Sequence, residues 1–245
     1  MLLLATTAEV ATPTGPMHCS IRRPAADGRF PGVVLFPEIY QETGPIARLA
    51  AVFAGHGMVV LVPEVYHEYL DPGTVLAYDE AGTALGNELK YRKPIAAYDA
   101  DARAAFDHLA GLDACSGRLG SVGVCLGGHL ALRAGFDPRC AASVCFYATD
   151  VHTGGLGAER RDGTLDRLGE VGGELLMVWG RQDPHVPEEG RGLIRARMAE
   201  VGARVSWHEV NGEHAFLRDE GRRYDPELAL TWLRGAAGHL RGALS

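Results

Sequence analysis

The sequence predicts an α/β fold in which a doubly wound, mostly parallel sheet carries helices on both faces. Three observations support this. Strand-length runs that are apolar throughout recur along the chain, segments with apolar residues at helical spacing separate them, and no repeat, low-complexity tract or linker divides the 245 residues. Strands that are apolar on both sides belong in a parallel sheet covered on both faces. Right-handed crossovers then put ligand sites at the carboxyl ends of the strands. A single domain over residues 1–245 is expected, a size that one α/β domain reaches routinely.

Gly32 to Phe36 (GVVLF) is a short, β-branched strand, followed by a helical segment from Ile46 to Ala54 that stops at Gly55 and Gly57. Met58 to Val62 (MVVLV) repeats the strand signature and ends at Pro63. Tyr98 to Leu109 is amphipathic, with Ala102, Ala105, Phe106 and Leu109 on one face. Leu119 to Val124 reads as a strand and Leu126 to Arg133 as a helix, and Ala142 to Tyr147 and Leu175 to Trp179 are further buried strands. Ile194 to Val201 is helical, Val205 to Val210 is a strand, and Pro226 to Leu240 is a last helix with proline at its start. Tyr66 to Lys93 is polar and aperiodic and is expected to run as an excursion over the strand ends. Asp150 to Gly173, rich in glycine and charge, is expected to be a loop with one short helix.

Hydrophobic residues make up 47% of the chain and charged residues 22%, which excludes disordered, collagen-like and coiled-coil chains. The net charge of −7, with no Lys/Arg run, lacks the electrostatic footprint of a nucleic-acid or anionic-membrane binder. No apolar run approaches the roughly 18 residues of a transmembrane helix, and the short apolar start MLLLATTAEVATP has no basic residue before it, unlike a secretory signal. Five cysteines without regular spacing do not make a disulfide framework, and no CxxC, HxxxH or HExxH pair suggests a metal site. A reduced, cytoplasmic location is expected, as a monomer or homodimer.

The sharpest local signal is Gly123-Val124-Cys125-Leu126-Gly127-Gly128, directly between a strand and a helix. This is the nucleophile-elbow pattern with cysteine in place of serine. A tight strand-to-helix turn needs glycines beside it. It lifts the sulfur above the sheet and sets it at a helix N-terminus, where the dipole favours a thiolate. The N–H of Leu126 then points at a developing oxyanion. Cys19, Cys115, Cys140 and Cys145 read as small buried hydrophobes.

A nucleophile needs a base, and the base needs an orienting acid. Asp183 follows the strand ending at Trp179, and His214 follows the strand ending at Val210. Alone, Asp183 reads as a turn or cap residue and His214 as a solvated loop histidine. Together, Cys125, Asp183 and His214 stand at three strand ends in the chain order of an α/β-hydrolase. His129, in the helix after the elbow, reads as packed or supporting. His185 is too close to Asp183 in sequence to be the base, His152 is undecided, and the remaining histidines read as structural or surface groups.

With these residues in place the sequence resembles the dienelactone hydrolase family of α/β-hydrolases, from about Pro31 to the C-terminal helix. The shared motifs are Phe36-Pro37-Glu38-Ile39, Val62-Pro63-Glu64-Val65-Tyr66, the cysteine elbow, Gln182-Asp183-Pro184 and Gly212-Glu213-His214-Ala215-Phe216. The resemblance implies that Glu38 approaches the resting thiol and moves when substrate binds, and that the N–H of Ile39 is the second oxyanion donor. It places Arg218, four residues beyond His214, where the family binds a substrate carboxylate, although an ion pair with Asp219-Glu220 suits the residue equally. Tyr147 stands where the family keeps a tyrosine, to touch substrate or to pack. The family's other carboxylate-binding arginine lies in the excursion, where Arg92 is the one arginine.

The implied chemistry is hydrolysis of a small-molecule lactone or ester through a thioester on Cys125, without metal or organic cofactor. A class I glutamine amidotransferase also has a cysteine elbow but pairs it with a late His-x-Glu; here that string is His208-Glu209-Val210, inside a strand, and Asp183 has no place in that scheme. The other alternative is a non-catalytic or redox-sensing relative with a reactive Cys125, for which no resolving cysteine lies beside the elbow in sequence.

Overall fold

Runs such as VVLF and VVLV bury side chains on both sides, so they can only sit in the middle of a sheet. The computed structural model, which describes residues 1–245, places them there. Eight strands form one sheet: β1 (Leu3–Thr12), β2 (Gly15–Pro24), β3 (Phe30–Phe36), β4 (Val59–Pro63), β5 (Cys115–Val124), β6 (Cys140–Phe146), β7 (Glu174–Gly180) and β8 (Val205–Val210). Their order is β1-β2-β4-β3-β5-β6-β7-β8. From β4 to β8 all neighbours are parallel, whereas β1 and β2 form an antiparallel hairpin that joins the edge of β4. This is the mixed sheet of the α/β-hydrolase fold.

There are six helices: α1 (Gly44–Gly55), α2 (Glu80–Arg92), α3 (Ile95–Gly111), α4 (Leu126–Ala134), α5 (Glu188–Glu200) and α6 (Pro226–Ala243); all but α2 cover the two faces of the sheet. Alternation along β3 shows the layering. Val33 and Leu35 pack with Ile46 and Phe53 of α1 and Leu240 of α6, while Val34 and Phe36 pack with Phe106 of α3 and Leu130 of α4. Each such side chain, fully buried, contributes about 1.5–3 kcal/mol. No helix is long and apolar enough to cross a membrane.

The structure adds two elements beyond those expected. The hairpin β1–β2 is one; β2 alternates, with Met17, Cys19 and Ile21 buried between half-exposed residues. β1 is exposed along most of its length and carries no alternating pattern. The second is α2, inside the excursion between Tyr66 and Lys93. Asp79 caps it by accepting a hydrogen bond from the N–H of Gly82 at 2.7 Å. Its glycines allow close approach: a Cβ on Gly86 would stand 2.6 Å from the Ile39 carbonyl oxygen. α2 is thereby pressed onto the segment after β3, and the Tyr66 hydroxyl donates to the Gly86 carbonyl at 3.0 Å. The stretch from Asp150 to Gly173 is irregular apart from one 3₁₀ turn at Leu168–Glu170, as expected.

Gly86→Ala is expected to lower stability by about 2 kcal/mol, because backbone rather than a movable side chain blocks the added methyl group. Chemical denaturation measures this directly, and an unchanged midpoint would show that α2 is not seated on Ile39.

Candidate active site

The carboxyl ends of β3, β5, β6, β7 and β8 converge on a cavity of about 370 Å³, whose wall includes Cys125 and His214. Cys125 sits between β5 and α4 with φ 58° and ψ −122°, a conformation that costs an L-residue about 1–3 kcal/mol. The glycines two residues to either side of it have no room for a side chain. A Cβ on Gly123 would lie 1.9 Å from the Gly127 carbonyl oxygen, and one on Gly127 would lie 2.0 Å from the Phe36 carbonyl oxygen. Three hydrogen bonds hold the turn: the Cys125 N–H donates to the Phe146 carbonyl (3.1 Å), and the Cys125 carbonyl accepts from the N–H groups of Gly128 (3.0 Å) and Thr149 (3.2 Å). Leu126 is the first residue of α4, so its N–H has no helical acceptor. Ile39 lines the cavity from the end of β3.

Asp183 and His214 lie on turns that are bonded to each other, through the Gln182 N–H and the Gly212 carbonyl at 3.0 Å. Nδ1 of His214 stands 2.7 Å from Oδ2 of Asp183, whose Oδ1 accepts the N–H of His185 at 2.8 Å. The His214 ring is flanked by the rings of His185 (centroids 4.6 Å apart) and Tyr147 (5.0 Å). Burial alone would lower the pKa of His214. The negative charge of the Cys125 sulfur and the Asp183 carboxylate outweigh burial and raise it to about 10. Burial pushes Asp183 up, but the hydrogen bond and charge of His214 hold it below the usual carboxylate range. His185 lines the cavity beside them, held low by burial and by the charge of His214.

Glu38, 2% exposed, is oriented differently from the resemblance. Its carboxylate accepts a hydrogen bond from the Tyr78 hydroxyl and lies 3.8 Å from Nη1 of Arg218, rather than bonding the Cys125 thiol. A buried carboxylate gains more from a phenol and a guanidinium than from a thiol, which is a weak donor. Burial still pushes its pKa up, the Tyr78 and Arg218 contacts notwithstanding. Arg218 faces the cavity, stacked 4.3 Å from the Tyr78 ring. The alternative surface pairing is taken by Arg48, which binds both Asp219 and Glu220.

Two other expected contacts fall elsewhere. Arg92 is exposed and rests over the Tyr69 ring at 4.7 Å, outside the cavity; two residues from Lys90 on α2, it lies about 200° around the helix. Tyr147 is buried behind His214, against Phe216 at 5.1 Å, and packs rather than lining the cavity. His129 is also buried, bonded to the Thr149 carbonyl (2.9 Å) and the Thr164 hydroxyl (2.7 Å). The cavity residues that the sequence did not single out are Tyr40, Thr83, Asn87, Lys90, Tyr91, Thr149, Asp150 and Arg223. Four of these stand on one face of α2, a helix whose cavity-facing side is polar and so carries no apolar period. Away from the cavity, His67, Glu68 and Asp101 are close enough to hold a cation. The buried Lys93 ammonium already fills that place, bonded to both carboxylates.

The charge states give a pH prediction. The raised His214 contributes stability that is complete below pH 6.5 and lost as pH rises through about 10. The lowered Asp183 contributes stability that is present above pH 3.8 and lost in acid. An NMR titration of the His214 ring is expected to show a midpoint near 10, falling in Cys125→Ala and in Asp183→Asn. A wild-type midpoint at or below the ordinary 6.5, or one unmoved by Cys125→Ala, would contradict the coupling.

Comparison with known proteins agrees with this geometry. The model of the dienelactone hydrolase family matches residues 17–236. A candidate carboxymethylenebutenolidase of Saccharomyces cerevisiae is 41% identical over 208 residues, covering 83% of this chain and 76% of that protein. The carboxymethylenebutenolidase of Pseudomonas sp. strain P51 is 28% identical over 211 residues, covering 84% and 82%. Among solved structures, a candidate dienelactone hydrolase of Klebsiella pneumoniae superposes with a TM-score of 0.87 at 23% identity, over 98% of this chain and 99% of that one, and shares the fold. The chain belongs to the dienelactone hydrolase family and is a dienelactone hydrolase-like hydrolase of ester or lactone bonds.

Proposed function

We propose that the hydrolase works by acyl transfer to the Cys125 sulfur and then to water, with Asp183 and His214 completing a catalytic triad. The observation that carries the reading is the Asp183–His214 hydrogen bond of 2.7 Å beside the strained Cys125 turn, in one cavity. The thiolate of Cys125 attacks the carbonyl carbon of the substrate, and the π electrons move to the carbonyl oxygen. The N–H groups of Ile39 and Leu126 hold that oxyanion, and one such donor is typically worth about 3 kcal/mol of barrier. Collapse breaks the carbon–oxygen bond, and the leaving oxygen takes the proton of the His214 imidazolium. In a lactone the leaving oxygen stays tethered to the acyl group.

The charge coupling suits the second half of the cycle. Once the sulfur is acylated it no longer carries the negative charge that holds His214 up, so the imidazole gives up its proton readily and accepts another from water. Hydroxide attacks the thioester, collapse expels the Cys125 thiolate, and His214 is again protonated. The acid product loses its proton to solvent. Thiolates attack activated esters well and expel poor leaving groups reluctantly, so lactones and activated esters are the expected substrates, ahead of amides.

Hydrolysis of p-nitrophenyl acetate and of a dienelactone by wild type and Cys125→Ala tests the reading. Turnover of either substrate in wild type, with at least a ~10³-fold loss in the variant, is the expected result. Equal activity in the folded variant would mean that Cys125 is not the nucleophile. Asp183→Asn, which removes the charge and leaves one oxygen for both the His185 N–H and His214 Nδ1, is expected to lower kcat by about 10²–10⁴-fold; an unchanged kcat would remove Asp183 from the mechanism.

A further inference from the structure

The wall that α2 presents to the cavity contains a charge pair for which the triad has no use. Nζ of Lys90 bonds Oδ2 of Asp150 at 2.9 Å, and the Tyr91 hydroxyl donates to Oδ1 at 3.0 Å. Both charged side chains are largely buried, at 8% and 14% exposure, and all three residues line the same cavity as Cys125 and His214. Asp150 is held at φ 63°, an uncommon conformation for a residue with a side chain. Two bonds from α2 fix its carboxylate there, facing the substrate space.

We propose that Lys90 and Asp150 determine specificity, selecting uncharged, hydroxyl-bearing ester or lactone substrates over carboxylate-bearing ones; this rests on the hydrolase reading above. A closed ion pair has no net charge, so a substrate carboxylate meets Asp150 as closely as it meets Lys90 and gains little from this wall; the two guanidiniums of the same cavity are likewise paired, Arg218 with Glu38 at 3.8 Å and Arg223 with Glu213 at 3.2 Å. Hydroxyl groups suit both partners, since they donate to the Asp150 oxygens and accept from the ammonium hydrogens that Asp150 does not use. Asn87, one turn away on the same face of α2, extends the wall with a further neutral donor and acceptor, while the Thr83 hydroxyl is already bonded to the Asp79 carbonyl and to Tyr40. A purely apolar substrate would leave the Asn87 amide, the unused Lys90 hydrogens and the remaining Asp150 lone pairs desolvated without partners, which is the basis on which polar sites reject analogues that lack a hydroxyl.

The experiment compares kcat/KM for three lactones, corrected for uncatalysed opening in a pH-stat: unsubstituted δ-valerolactone, polyhydroxylated glucono-δ-lactone and a carboxylate-bearing dienelactone. Wild type is expected to prefer the hydroxylated lactone over each of the others by about tenfold or more, the range of a hydrogen bond to a charged group. Asp150→Asn keeps a residue type that tolerates positive φ and leaves Lys90 as a net positive charge. The ratio of carboxylate-bearing to hydroxylated lactone should then rise about tenfold. Lys90→Met leaves Asp150 unpaired, and the same ratio should fall. A wild-type preference for the unsubstituted or the carboxylate-bearing lactone overturns the proposal. So does an equal loss on all three lactones in both variants, which marks the pair as a brace for α2. The wild-type comparison stands even where a variant fails to fold. If no lactone or p-nitrophenyl ester is turned over through Cys125, as judged with Cys125→Ala, the hydrolase mechanism itself fails, and the specificity proposal falls with it.

Discussion

The rest of the site depends on the crowding of backbone around Cys125. The turn is wedged between the ends of β3 and β6, with Gly127 against the Phe36 carbonyl and Gly128 against the Phe146 carbonyl. Nothing larger than glycine fits at either place, so the Gly-x-Cys-x-Gly-Gly spacing follows from the parallel pairing of β5 with its two neighbours. The same wedge ties the sulfur to the other loops. The Phe146 and Thr149 bonds to Cys125 fix the segment after β6, which carries Tyr147 behind His214 and Asp150 into the cavity. Strain is concentrated on this edge: Gln41, Cys125, Tyr147, Asp150 and Ala215 all have positive φ and all follow strands of the parallel sheet. Such conformations persist only where the surroundings over-determine them, and here the sheet supplies the rigidity.

The second constraint is charge neutrality in a poorly solvated place. The cavity edge pairs Asp183 with His214, Glu38 with Arg218 and Asp150 with Lys90, while Lys93 is enclosed by Glu68 and Asp101 under the neighbouring loop. Removing one member of a buried pair leaves an uncompensated charge, which costs more than the pair contributes. The pairs therefore set orientation more than stability. In the proposed cycle one of these charges changes: acylation neutralises the sulfur, and His214 responds because Cys125 is the strongest influence that raises its pKa.

The parts of this arrangement that are legible in sequence have a local physical signature. Strands β3, β4, β6 and β7 are visible because burial on both faces demands apolar runs, β5 through its buried second half and β8 through its β-branched and aromatic residues, and α1 and α3 to α6 through apolar residues at helical spacing. The elbow, Asp183 and His214 are visible because each sits at a strand end within a short motif. β1 is hidden, since an exposed edge strand needs no apolar alternation; β2 does alternate, with Met17, Cys19 and Ile21 buried, but prolines and charged residues surround so short a pattern. α2 is hidden for another reason: its inner face lines a polar cavity, so Thr83, Asn87 and Lys90 occupy positions where periodicity looks for Leu or Val. Arg92 illustrates the consequence. Without the helix its phase is unknown, and the neighbouring cation Lys90 is the one that faces inward. The grouping of Tyr78 with Glu38 and Arg218 joins residues 38, 78 and 218 and is purely tertiary.

The most direct test of the central claim is to identify the atom that carries the acyl group. Acid quench during turnover of a p-nitrophenyl ester by Asp183→Asn, in which deacylation is slowed, followed by peptide mass mapping, provides it. The expected result is an acyl adduct on the peptide containing Cys125, released by hydroxylamine as a thioester is. An adduct on any other side chain, or continued turnover after the Cys125 sulfur has been irreversibly alkylated, would contradict it.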